Sequence, residues 1–170
     1  MSLVYATFPT AWGPMGAVAD EGGLLRVVLP YYQRKDLAEL LAFEHAGAEL
    51  SPAAFDALAE RCQAYFNGQP VDFDGFPCHL PGEGSFAGKV LRACRAIPRG
   101  QTMSYSELAR EMGNEDAARP VATALGKNVI PLVIPCHRVT YANGGVGGFS
   151  AEGGVALKQR MLALEAGAGR

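Results

Sequence analysis

The sequence has little cysteine and little histidine, with four and three residues respectively in a chain of 170. The cysteines are Cys62, Cys78, Cys94 and Cys136. Their spacing excludes a Cys-x-x-Cys redox motif and matches no zinc pattern. They are also too sparse for the disulfide framework of a small secreted domain, so we expect a reducing, cytoplasmic compartment and no metal site.

Long apolar runs are missing as well. No stretch of about 18 consecutive apolar residues occurs, so no transmembrane helix is predicted. The N-terminus has no basic stretch followed by an apolar one, so no signal peptide is predicted. Hydrophobic residues nevertheless make up 49% of the chain, which is enough for the core of one domain or of two small ones.

Charge is low overall but unevenly distributed, with a formal net charge of −2. Residues 1–81, the first half, carry four basic and ten acidic side chains, a net charge of −6. Residues 82–170, the second half, carry eleven basic and seven acidic side chains, a net charge of +4. Such asymmetry indicates that the second half faces a polyanion, and a chance difference in charge between the halves is the alternative.

The first half is predicted to be an α/β domain with a three-stranded antiparallel sheet. Apolar residues separated by short Gly- and Pro-containing turns favour strands at 3–8, 15–20 and 24–29. Apolar residues at roughly helical spacing, beginning at Leu37, predict a first helix. Ser51 as N-cap and Pro52 at the first helical position predict the start of a second. Proline and glycine are concentrated at 69–84, where we place the domain boundary.

The second half is predicted to be helical. Ser85 is expected to cap a first helix, and Ser104 with Glu107 has the spacing of a capping box for a second. Asp116 or a neighbour is expected to cap a helix at 117–125, which completes a helix-turn-helix. Small residues in this last helix would allow close approach to a surface, although the alanines taken alone favour simple packing in a core.

The segment around Cys136 carries the most specific chemistry. Residues 131–134 are predicted to form a short buried strand or extended segment, and Pro135 makes the backbone rigid before the cysteine. Since the thiolate is the nucleophile, an adjacent His137 that accepts the thiol proton would activate it. A buried structural cysteine is the alternative. The tripeptide alone is not diagnostic, because Pro-Cys-His recurs at 77–79 within a Gly/Pro-rich connection.

Three further features are interpreted as follows. Glu165 ends a helix predicted at 154–164, and a carboxylate there opposes the helix dipole, which suggests that it has a partner. Asp72 and Asp74 are interpreted as solvated loop residues, not as a metal site. The glycine-rich stretch at 144–150 lacks the Lys-Ser/Thr of a P-loop, and the tail at 166–170 is expected to be disordered.

The sequence Ile-Pro-Cys-His-Arg-Val at 134–139, with Asn128 before it and Gly-Gly-Phe-Ser at 147–150 after it, resembles the active-site signature of the O6-alkylguanine-DNA alkyltransferases. The resemblance covers most of the chain and is strongest from Ser85 to Glu165. It implies an α/β (α+β) N-terminal domain with a small antiparallel sheet, ribonuclease H-like, at 1–81. An all-α, winged-helix-like helix-turn-helix domain at 82–170 is implied to follow it.

The resemblance also implies roles for individual residues. Five residues match the family's catalytic positions. Cys136 matches the alkyl acceptor, His137 the water-linked base and Glu165 the carboxylate that orients this histidine. Asn128 matches the side chain that braces the active-site turn, and Tyr105 the tyrosine that donates towards guanine N3. Those expected to contact DNA are Ser104, Ala118, Arg119, Pro120, Ala122 and Thr123, with Arg119 inserted into the base stack. Those expected to bind the base are Val139 through its carbonyl, Ser150 through its N–H, Phe149 and Gly147. Phe149 replaces the tyrosine of some relatives, and Pro120 stands where alanine is common.

The implied function is irreversible repair of O6-alkylguanine in double-stranded DNA, without a cofactor, by a monomer that flips the damaged nucleotide and acts once. The zinc site of some eukaryotic relatives has no matching residues. A non-catalytic protein that recognises alkylguanine is the first alternative, although such proteins lack the acceptor cysteine. A cysteine hydrolase is the second, and it leaves Arg119 and Tyr105 unexplained. The sequence does not rank methyl against larger alkyl groups, nor O6-alkylguanine against O4-alkylthymine.

Overall fold

The computed structural model describes residues 2–167, so positions 168–170 of the tail predicted to be disordered lie outside the described residues. Strands and helices of the first half are β1 (Val4–Phe8), β2 (Met15–Asp20), β3 (Gly23–Val28), α1 (Arg34–Glu44), β4 (Glu49–Leu50) and α2 (Asp56–Phe66). A 3-10 helix at Pro52–Phe55 precedes α2, so the chain turns helical at Pro52 as predicted. The Ser51 side chain, however, makes no capping hydrogen bond.

The sheet has the strand order β3-β2-β1-β4. Strands β1, β2 and β3 are antiparallel neighbours, within one residue of the predicted bounds. The prediction of a three-stranded, purely antiparallel sheet was wrong, because β4 pairs with β1 in parallel, with Val4 opposite Glu49. Two exposed residues, Glu49 and Leu50, form this strand, and so short a segment carries no alternating pattern to find.

Helices cover both faces of the sheet. On one face Leu37 and Leu41 of α1 pack against Val18 and Val28. Gly16 permits this approach, since a Cβ there would lie 2.8 Å from Leu41 Cδ1. On the other face a larger core cluster joins the sheet and α2 to the helices of the second half. Cys62 and Cys94 lie in it and are fully buried, as the sequence indicated. The partition at residue 81 stays a prediction.

The second half contains α3 (Phe86–Arg95), β5 (Met103–Ser104), α4 (Tyr105–Glu111), α5 (Ala118–Leu125), β6 (Val139–Thr140) and α6 (Gly154–Glu165). The all-α prediction is therefore corrected, because β5 and β6 form a two-stranded parallel ladder with Met103 opposite Val139. This ladder ties the start of the helix-turn-helix, α4 and α5, to the segment that follows Cys136. No helix within residues 2–167 is long and apolar enough to span a membrane.

Side-chain caps set the helix starts of the second half. Ser85 Oγ accepts from Gly88 N at 3.0 Å, and Ser104 with Glu107 forms a complete capping box. Asn114, not Asp116, caps the 3-10 turn at Glu115–Ala117 that leads into α5. Pro120 is the third residue of α5. The first helical N–H groups have no partner within the helix, so Pro120 costs α5 no hydrogen bond.

Candidate active site

A tight turn between α5 and Cys136 is braced by Asn128. Its Nδ2 donates to the Ile134 carbonyl at 3.0 Å, and its Oδ1 accepts from Ile130 N at 3.0 Å. The strand predicted at 131–134 was wrong, because Ile134 N bonds back to the Ile130 carbonyl and Leu132 takes a φ of 74°. A positive φ is uncommon for leucine, and the buried Asn128 amide satisfies the backbone groups of this turn.

Cys136 opens a 3-10 helix, Cys136–Arg138, and lines a cavity of about 400 Å³. Its side chain is buried, with 7% of the residue exposed. Burial raises the pKa of the thiol, while a hydrogen bond with Asn128 and the charge of Lys158 act in the opposite direction. The thiol is therefore neutral at rest, and a nucleophilic thiolate requires a base nearby.

His137 supplies a suitable base. Its Nε2 lies 2.5 Å from Glu165 Oε2, and both side chains are almost fully buried. If the carboxylate accepts the Nε2 proton, the lone pair of the neutral ring is on Nδ1. Nδ1 is buried and has no hydrogen-bond partner among residues 2–167. Burial lowers the pKa of His137 despite the opposing effect of Glu165, so the ring is neutral and able to accept a proton.

Glu165 is held by three side chains, which confirms that it has a partner. Arg138 Nε donates to Oε1 at 2.8 Å, and Tyr65 Oη donates to Oε2 at 2.6 Å. Burial favours the neutral acid, but the hydrogen bonds from His137 and Arg138 and the charge of Arg138 outweigh it and hold the pKa of Glu165 well below its usual range. Sequence reasoning missed Tyr65 and Arg138. Tyr65 lies 100 residues from Glu165, among apolar residues of α2 that indicated only core.

The cavity beside Cys136 is lined by two of the four residues expected to bind the base, Phe149 and Ser150. Its lining comprises Tyr105, Ala122, Leu125, Gly126, Cys136, Tyr141, Gly148, Phe149 and Ser150. Gly147 lies against Tyr105, where a Cβ would be 2.6 Å from the phenol oxygen, and its φ is +81°. Tyr141 was missed by sequence reasoning. It is 55% exposed, and its ring centroid lies 5.4 Å from that of Tyr105.

Lys158 is a second residue that the sequence did not indicate. It is fully buried on α6, where its Nζ donates to the carbonyls of Val139 at 2.7 Å and Gly148 at 3.1 Å. The ammonium also lies 5.8 Å from the Tyr105 ring centroid. It therefore ties the segment that follows Cys136 to Gly148, which lines the cavity. The Val139 carbonyl keeps a second lone pair, so its predicted contact with the base stays possible.

The residues predicted to face DNA divide into two groups. Arg119, Pro120 and Thr123 are exposed, and Ala118 and Ala122 are half-buried on the same helix α5. The remaining residue, Ser104, differs from these. Its side chain is buried and accepts from Glu107 N at 3.0 Å, so its hydroxyl caps α4, and its contact with DNA stays a prediction.

The second Pro-Cys-His lies outside this site. Cys78 is half-buried, and its Sγ donates to the Phe76 carbonyl at 3.4 Å. His79 pairs with Asp20, which is 2.6 Å away, on the first half of the chain. Across residues 2–167, no three His, Cys, Asp or Glu side chains are grouped to hold a metal ion.

Comparison with known proteins supports the resemblance. A family described as "6-O-methylguanine DNA methyltransferase, DNA binding domain" matches residues 85–167. A methylated-DNA–protein-cysteine methyltransferase of Salmonella typhimurium is 35% identical over 168 residues, which cover 97% of this chain and 96% of that protein. This chain belongs to the methylated-DNA–protein-cysteine methyltransferase family.

Two further relatives of this family agree. The methyltransferase of Mycolicibacterium paratuberculosis is 44% identical over 116 residues, which cover 68% of this chain and 67% of that protein. The crystal structure of Mycobacterium tuberculosis OGT in complex with DNA matches with a TM-score of 0.78 at 32% identity, covering 96% of this chain and 93% of that one. The match therefore extends over both halves of this methyltransferase-family chain.

Proposed function

We propose that this protein repairs O6-alkylguanine in double-stranded DNA by moving the alkyl group to Cys136. The observation that carries the proposal is that Cys136 lines a cavity that also borders α5, while the next residue, His137, is hydrogen-bonded to the buried Glu165. A nucleophile, a base held in one tautomer and a binding cavity meet there. The exposed Arg119 lies on the same helix as Ala122, which lines the cavity.

The transfer step follows from these positions. His137 Nδ1 takes the Cys136 proton, directly or through a water, while Glu165 holds the Nε2 proton. The sulfur forms a bond to the alkyl carbon as the bond from that carbon to O6 breaks, and the electron pair stays on the purine. Burial raises the pKa of Tyr105, so its phenol stays protonated and can donate to guanine N3.

The alkylated base must leave the duplex to reach Cys136, which costs a few kcal/mol. Helix α5 is suited to lie in the minor groove, because Ala118, Ala122 and Thr123 leave room beside Arg119. Arg119 then occupies the gap in the base stack. The Val139 carbonyl binds the exocyclic amine, the Ser150 N–H approaches O6, and Phe149 and Gly147 complete the site.

The thioether product is stable, and the reaction requires no cofactor, so each molecule acts once. We propose that the protein works as a monomer in the cytoplasm and that its boundary lies near residue 81. The order β3-β2-β1-β4 with a parallel β4 supports a ribonuclease H-like first domain. The pairing of α4 and α5 beside the β5–β6 ladder supports a winged-helix-like second domain.

Intact-protein mass spectrometry tests the proposal. After incubation with a duplex oligonucleotide carrying O6-methylguanine, we expect one added methyl per protein, located by peptide mapping on Cys136, and no further increase. Cys136→Ala should abolish transfer and keep binding, whereas the matched variant Cys78→Ala should react like the wild type. Methylation that persists in Cys136→Ala would place the acceptor elsewhere. Binding without any mass change would favour a recognition protein.

A further inference from the structure

Arg26 joins three separate segments of the chain. From β3, its Nε donates to Glu44 Oε1 at 3.1 Å, and its Nη2 donates to Glu152 Oε1 at 3.0 Å. Its Nη1 also donates to the Val27 carbonyl at 3.3 Å. Only 14% of the Arg26 side chain is exposed, against 32% for Glu44 and 21% for Glu152. Glu44 ends α1, while Glu152 follows Ser150 by two residues.

The segment at 147–152, named here the substrate loop, has little structure of its own. It contains no helix or strand, and it begins with Gly147 and Gly148. Glycine makes such a segment entropically costly to order, so contacts from outside must define its path. Lys158 provides one, through the Gly148 carbonyl, and Arg26 provides another, through Glu152.

The same strand supports the turn that precedes Cys136. Val27 N donates to the Val129 carbonyl at 3.0 Å, within the turn braced by Asn128. A cavity of about 410 Å³ lies between these supports, and Arg26, Lys127, Ser150 and Glu152 contribute to its walls. Strand β3 therefore contacts both the turn and the substrate loop, and residues of both line this second cavity.

We propose that Arg26 is a positioning residue for the substrate loop. Through Glu152 it fixes the backbone that presents the Ser150 N–H, without itself touching the base. The inference rests on the proposed function and extends it, because it assigns a residue of the first half to the geometry of base recognition. Arg26 is part of a half-buried, three-residue network, which gives it more effect than an exposed ion pair.

Single-turnover kinetics with the full chain test this role. We expect Arg26→Ala and Glu152→Gln each to lower the second-order rate constant with free O6-methylguanine base by about fivefold, the equivalent of roughly 1 kcal/mol. Affinity for an unmodified duplex should change less than twofold. Hydrogen exchange of the peptide covering the substrate loop should accelerate in both variants, and Arg26→Lys should recover part of the rate. The double variant should be no slower than either single one.

Two matched variants separate loop positioning from general stability. Glu44→Gln removes the partner of Arg26 on α1 and leaves the tie to Glu152, so its rate should fall less. Arg61→Ala removes another ion pair of the first half, with Asp72, and should react like the wild type. Wild-type rates in both Arg26→Ala and Glu152→Gln, or equal losses in Glu44→Gln, would overturn the positioning role. A wild-type protein that gains no methyl on Cys136 would overturn the proposed function instead.

Discussion

At the scale of single residues, the proposed chemistry depends on Glu165. Its carboxylate binds His137, Arg138 and Tyr65, so one buried charge orients the base and is itself compensated. A buried carboxylate without such partners would become neutral. Because Glu165 stays ionised, it keeps the Nε2 proton in place and leaves the lone pair of the His137 ring on Nδ1.

We predict that Glu165→Gln slows methyl transfer by about a hundredfold, the lower range for loss of a general base. Burial lowers the pKa of His137 below the usual histidine value of about 6.5 in the wild type, so the wild-type rate should fall only at a pH below that value. Glu165 raises that pKa, so the variant's remaining activity should fall at a still lower pH. Rate measurements between pH 5 and 8 check this, with the exposed Glu111→Gln as control. A variant rate equal to the wild type contradicts it.

At the scale of elements, α5 borders both the solvent and the cavity, and we propose that its exposed side faces DNA. Val121, Ala124 and Leu125 are buried and fix the helix against the core, while Arg119 and Thr123 face outwards. Thr123 Oγ1 donates to the Arg119 carbonyl at 3.1 Å. Ala122 reaches the cavity wall. One short helix thus presents a cation to the solvent and a small side chain to the base site.

We predict that Arg119→Ala slows repair of duplex O6-methylguanine at least tenfold and changes the reaction with the free base less than twofold. The reason is that only the duplex substrate requires a base to be extruded and the gap filled. Single-turnover rates on both substrates measure the difference. Arg110→Ala, an exposed arginine on the neighbouring α4, is the matched control. Equal losses on both substrates would contradict a role in flipping.

At the scale of the whole molecule, the two halves divide the work unequally. The basic half contains Cys136, the cavity and α5, and the acidic half contributes Tyr65 to Glu165 and Arg26 to the substrate loop. The net charge of the whole chain is only −2, because the opposite net charges of the two halves largely cancel. The second half has a net charge of +4, and we expect its surface to face the phosphates of DNA.

We predict that binding to duplex DNA weakens with salt. The log–log slope should be about −0.9 for each phosphate neutralised, because binding releases condensed counterions. Titrations between about 50 and 200 mM salt give this slope. Removal of one phosphate-contacting cation on the basic half should make the slope less negative by about 0.9. Affinity that does not change with salt would contradict the polyanion interpretation of the charge asymmetry.

Local signals were read correctly from the sequence where short stretches determine structure. Strands β1 to β3, the caps at Ser85 and Ser104 and the helix-turn-helix follow from side-chain patterns within a few residues of each other. The cysteine–histidine pair is adjacent in sequence, so its chemistry was visible as well. Glu165 was noticed because a carboxylate is unfavourable at a helix C-terminus.

Only the tertiary structure decided the contacts that join distant segments. Tyr65 and Glu165 are 100 residues apart, and Arg26 and Glu152 are 126 apart. The hydrophobic periodicity of the sequence does not indicate such pairs, because each partner taken alone has the pattern of an ordinary core or surface residue. The turn at Leu132 was misjudged for the same reason. An apolar run favours a strand, but the buried Asn128 amide and the surrounding core stabilise a turn there instead.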